Sequence, residues 1–183
     1  MKQYLSLLPL IAIAITITTS AHGQQPPPPS PIKITGIDVQ KAKLPNSKSE
    51  WTKIICNFTN TVGWTDGVSF NYSVLVQPAG GGGEKFRVLS GGCTYMNVPK
   101  GPGKAIMYLS PNATTRFGTP VAATIEIFRG DRSLESFSWS SHSTSVDTNW
   151  ATKYPPYQGM LLNMFSTPWI FSDGDQTADL LVN

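Results

Sequence analysis

Few residues in this chain carry groups that could do chemistry, and their spacing narrows what that chemistry is. Cys56 and Cys93 are its two cysteines. Zinc needs several Cys or His ligands at close spacing, and neither cysteine has such neighbours. A catalytic thiol needs a histidine, and the chain has two, His22 and His142. His142 lies in Ser-Ser-His-Ser with Asp147 a little further on. A serine triad needs a base and an orienting acid placed by the fold, which adjacency on a loop does not supply. Glu126 and Glu135 fall in consecutive β-like runs. Two carboxylates flanking a glycosidic bond would make a small hydrolase, whereas solvated, outward-facing acids are the simpler reading. Asp173, Asp175 and Asp179, in DGDQTAD, offer oxygen ligands at short spacing for calcium. They lack the closing glutamate of a calcium-binding EF-hand, so a polar Asp-Gly turn is the plainer reading. The run Gly80 to Gly83 lacks the lysine and hydroxyl residue of a phosphate-binding loop and reads as a hairpin loop. No catalytic centre and no cofactor are expected.

Aromatic rings offer a different chemistry. Flat apolar rings stack on sugar faces while polar neighbours bond the hydroxyls. Trp139, Trp150, Tyr154, Tyr157 and Trp169 are the candidates for such a binding surface; burial in a core or lid is the competing reading.

The N-terminus bears on the cysteines. Lys2 precedes an apolar run from Leu5 to Ile17, and small residues at Ala21 and Gly23 offer a cleavage site before Gln24. The run is shorter than the roughly 20 apolar residues of a membrane span. Residues 1–23 therefore read as a secretory signal, with no stable span after its removal. The expected location is the periplasm or the cell surface. In an oxidising compartment a Cys56–Cys93 disulfide is the leading expectation, adding about 4 kcal/mol in the chain-entropy picture. Two buried free thiols are the alternative.

Charge gives little support to nucleic-acid binding. There are 14 basic and 11 acidic residues, and the basic ones are scattered rather than clustered on one face. Residues 24–31, QQPPPPSP, form a polyproline spacer.

The elements that must position these groups read as strands. Ile32 and Ile34 alternate, then the phase moves at Gly36 to Ile37 and Val39, the signature of a β-bulge in a bent edge strand. Ile54, Cys56 and Phe58 share one face of the next run. Val68, Phe70, Tyr72, Val74 and Val76 alternate with Ser69, Asn71 and Ser73. KFRVLS, CTYMNV, KAIMYL, VAATIEIF and LESFSW follow, separated by Gly, Pro and Asp turns. The pattern predicts an all-β antiparallel sandwich over 32–139 with about eight strands. Residues 140–183 lose the alternation and become rich in large apolar groups. They are expected to pack back on the sandwich or to form a contact surface, with a short helix near Gly159 to Phe165.

Several stretches carry a resemblance: Trp51 to Phe58, Val68 to Val76, Cys93-Thr94-Tyr95-Met96-Asn97-Val98, Met107-Tyr108-Leu109-Ser110-Pro111 and Thr167-Pro168-Trp169. Over about residues 32–171 the chain resembles secreted immunoglobulin-like proteins of mucin-dwelling bacteria and their relatives, some encoded beside type IV pilus-like machinery. The resemblance implies an immunoglobulin-like sandwich in the cell envelope, in pilus assembly or host contact. It supplies no functional residues. The antibody pattern of two distant cysteines around a tryptophan is not met by Cys56, Trp64 and Cys93. The expected function is thus non-catalytic, through contacts with an envelope or surface protein. Glycan binding through exposed Trp and Tyr is the second reading, and the small hydrolase a third.

Overall fold

A computed structural model describes residues 30–45, 47–79, 86–141 and 146–169, and the backbone of 180–181. The expected signal, most of the proline spacer, the glycine loop, His142 and the aspartates Asp173, Asp175 and Asp179 lie outside the described residues.

Seven long strands come first: β1 (Ile32–Lys43), β2 (Glu50–Asn60), β3 (Val68–Gln77), β4 (Arg87–Tyr95), β5 (Gly101–Leu109), β6 (Thr119–Arg129) and β7 (Arg132–Ser140). A helix, α1 (Pro111–Phe117), stands between β5 and β6. The remainder is a short helix α2 (Trp150–Lys153) and small strands β8 (Pro156–Gln158), β9 (Leu161–Leu162) and β10 (Leu180–Leu181). One sheet runs β1-β2-β5-β9, and the other runs β10-β4-β3-β6-β7 with β8 also on β4. All pairings are antiparallel except β8 on β4. This is an immunoglobulin-type partition in which the fourth strand has joined the third rather than the fifth.

The inner faces follow the alternation. Val68, Phe70, Tyr72, Val74 and Val76 are buried against Ile54, Cys56, Phe58, Ala105 and Met107 of the facing sheet. Phe58 and Phe70 meet across the gap with ring centroids 5.0 Å apart, and Tyr95 stands edge-on to Phe70 at 5.5 Å. The register slip in β1 falls between Ile34 and Gly36, where the phase change predicts the bulge.

Three features depart from the expected pattern. KFRVLS and CTYMNV are one strand, β4, whose two glycines continue the ladder at places where no side chain fits. A Cβ on Gly91 would strike Leu161 and Met107, and one on Gly92 would strike Asn71 and the Phe70 carbonyl. The segment after β5 is helical. Ser110 caps it, its Oγ accepting from Ala113 N at 3.2 Å, and Pro111 opens it where a missing N–H costs nothing. The helix expected near Gly159 to Phe165 is instead β9 followed by a single 3-10 turn, Met164–Ser166.

The C-terminal arm packs on both sheets. On the outside of the larger sheet, Trp150 is buried with Leu75, Val88, Val121 and Ala122. On the outside of the smaller sheet, Met164 and Trp169 are buried with Ile55, Ile106 and Tyr108. Between these anchors the arm crosses the sandwich edge, β8 pairing with β4 and β9 with β5. Lys53 fastens the far end: its Nζ lies 3.8 Å from the centre of the Trp169 ring, which stacks at 6.4 Å on Tyr108.

Candidate interaction surfaces

The most exposed large apolar side chain among the described residues is Trp64, at 73%; Val62 beside it is 46% exposed. Both sit on the turn between β2 and β3, which is built around one buried amide. Asn60, the last residue of β2, is 1% exposed. Its Nδ2 donates to the carbonyls of Gly63 (2.9 Å) and Val98 (3.0 Å), with Thr65 Oγ1 and the Pro99 carbonyl at 3.1 and 3.3 Å. Its Oδ1 accepts from Val62 N at 3.2 Å. Thr65 and Val98 exchange backbone hydrogen bonds at 3.0 and 2.9 Å, and Asp66 Oδ1 accepts from Asn97 N at 2.9 Å. Thr61 donates twice to the Pro31 carbonyl, at 2.8 and 3.0 Å, so the chain enters the domain at this same end. The result is a braced tip that holds a tryptophan in water. Strand alternation does not mark this turn, and Trp64 stands out in the sequence only by its spacing from Cys56. The available signal was an isolated Val-Gly-Trp between a strand end and an Asp-Gly turn.

The five aromatics chosen from sequence do not converge. Trp150 and Trp169 are buried on the outsides of different sheets, and Trp139 is half-buried against the central core. Tyr154 packs edge-on to Phe86, with ring centroids 6.4 Å apart. Tyr157 is 42% exposed and leans on Phe117 at 5.6 Å.

Cys56 and Cys93 project inward from β2 and β4 into the same core cluster, and both are free thiols. The expected bridge is not formed in this structure. Tyr72 shares their layer and spans the gap, its hydroxyl donating to the Ala105 carbonyl at 2.8 Å. In the antibody arrangement the bridge joins the second and sixth strands, whereas Cys93 is on the fourth. Burial pushes the Cys56 thiol far above its ordinary range, with Cys93 adding to the shift. Burial also pushes Cys93 up to about 12, partly offset by a hydrogen bond with Tyr95. Such thiols stay protonated and unreactive at neutral pH.

Glu126 and Glu135 do not form a pair. Glu126 stands opposite Ser136 and Glu135 opposite Ile127, a buried core residue, so the two carboxylates leave the hairpin on opposite faces. That arrangement cannot bracket a glycosidic bond.

The strand partition and core define an immunoglobulin-type β-sandwich. A protein-family model matches residues 38–180, and the chain belongs to that family. A crystal structure of a protein from Akkermansia muciniphila matches with a TM-score of 0.65 and 16% sequence identity, covering 83% of this chain and 93% of that one. At that identity the shared property is the fold. No curated protein matches the chain.

Proposed function

We propose that this is a non-catalytic exported protein that works at the cell surface through protein contacts, with the Trp64 tip as the contact site. The carrying observation is the tip itself: an aromatic ring 73% exposed on a turn braced by a buried asparagine. Exposed tryptophans held rigidly are the residues that dominate protein interfaces, because little side-chain freedom is lost when they are covered. The immunoglobulin-type sandwich, a fold common among surface proteins, supports the same reading, as do the leader-like residues 1–23.

The arm narrows how contacts can form. β8 and β10 pair along the two ends of β4, and β9 pairs with Tyr108 and Leu109 of β5, so those stretches are closed to strand addition. Among the described residues, the longer edges left to strand pairing are β1, bent by its bulge, β7, and the Gly101–Met107 part of β5. The tip is the preferred site because it displays a large aromatic ring, whereas an edge-pairing mechanism would use those stretches.

A photo-crosslinking residue placed at position 64 tests this in cells that export the protein. Defined crosslinked species are expected from position 64 and not from position 126 on the outer face of the larger sheet. Equal yields from both, or none from position 64, would refute the proposal.

A further inference from the structure

The outer face of the smaller sheet is covered over only half its length. The rows toward α1 hold Trp51, Tyr108 and Ile106, and there Trp169 and Met164 of the arm close over them. The rows toward the Trp64 tip stay open and mix polar and apolar groups. Register places Lys33 beside Thr59 and Pro102, and Asn57 beside Lys104, with Asp38 next to Ile55 and Gln40 next to Lys53. Two hollows of about 310 Å³ and 190 Å³ lie on this face and share Asn57 and Lys104 as walls. The bulge at Gly36 lifts Thr35 to rim the first, and Lys53 closes the second toward the arm. Asn57 Nδ2 donates to Asp38 Oδ2 at 2.8 Å, which fixes one amide and one carboxylate in the floor.

We propose that this open half-face is a binding site for an acidic oligosaccharide. Lys104 lines both hollows and Lys33 stands beside Thr59 in the register, against one carboxylate, Asp38, while Lys53, its ammonium over the Trp169 ring, adds positive charge at the far end; the field therefore favours an anion. The remaining walls combine amides and hydroxyls, from Thr35, Gln40, Asn57 and Thr59, with apolar surface at Phe58 and Pro102, which suits the polar edges and apolar faces of sugar rings. An extended peptide is the poorer fit. β2 is an inner strand, paired on both sides, so its backbone groups are already used and strand addition is unavailable on this face. The site uses none of the tip residues and stands independently of the contact reading.

The test is calorimetric titration of the full chain with hexagalacturonate and a heparin hexasaccharide, against maltohexaose and hexaglutamate. Saturable binding of at least one acidic saccharide is expected, about tenfold or more tighter than maltohexaose. Lys104→Glu and Asn57→Ala should each weaken it by about tenfold, with an unchanged urea midpoint, since Lys104 is exposed and Asn57 half-exposed. Glu126→Gln and Trp64→Ala should leave the isotherm unchanged, which separates this site from the tip. Absence of saturable binding by both acidic saccharides would overturn the proposal. So would hexaglutamate binding as tightly as the saccharides, or wild-type affinity in both groove variants.

Discussion

Replacing Asn60 by alanine should cost this protein more than any other single polar truncation among its described residues. The side chain is 1% exposed and its two amide protons serve a cluster of four acceptors, while its carbonyl takes the Val62 N–H. Three hydrogen bonds at about 1 kcal/mol each give a loss of about 3 kcal/mol. The Val98 carbonyl keeps its bond from Thr65 N at 3.0 Å, so the loss stays near that figure rather than rising by a further desolvation penalty. Asparagine to aspartate should be worse, because a buried carboxylate would face the carbonyls of Gly63, Val98 and Pro99; a loss of about 3–5 kcal/mol follows. Urea unfolding measures both. With a slope of about 2 kcal/mol per molar, the alanine variant should shift the midpoint down by about 1.5 M. Hydrogen exchange gives the local half of the prediction: the Val62 amide should lose its protection in the variant while the amides of β3 keep theirs. A shift below about 0.5 M with an unchanged Val62 amide would refute the claim that this side chain braces the tip.

Three further outcomes follow from the same contacts. Trp169→Ala removes the ring that stacks on Tyr108 and covers Lys53, and should cost about 3 kcal/mol while exposing residues 160–169 to limited proteolysis. The buried thiols should make the reduced protein fragile in alkali. Their folded pKa values lie above the unfolded value near 9, so their contribution is whole below pH 9 and declines as pH rises toward 12. The decline should be about 1.4 kcal/mol per pH unit for each thiol, and replacing Cys93 by alanine should flatten the profile by one thiol's share. A maleimide reagent at pH 7 should label both cysteines after unfolding in urea without reductant and neither before; no labelling after unfolding would restore the disulfide.

Much of the sandwich was legible because its strands have one dry face and one wet face. In β3, Val68 to Val76 alternate in sequence and in burial, and the bulge announced itself as a change of phase at Gly36. The alternation breaks down where something covers the outer face. Leu75 points outward yet is fully buried, because Trp150 arrives from a distant part of the chain. Gly91 and Gly92 looked like a break, but Gly91 lets the arm approach β4 at Leu161 and Gly92 makes room for Asn71 of β3, a reason found only in the tertiary contacts. The aromatic tail was visible as composition, but its division between two outer faces depends on where the sandwich edge lies. The tip was hidden for a similar reason. Asn60 reads as an ordinary polar residue at a strand end until the chain brings Val98 and Pro99 beside it.

Surface retention of the Trp64→Ala protein is the most direct test of the contact reading. In exporting cells, the account predicts that this variant keeps the wild-type urea midpoint and circular dichroism but is lost from the cell surface to the medium, while Glu126→Gln is retained. Equal retention of wild type and Trp64→Ala would contradict it.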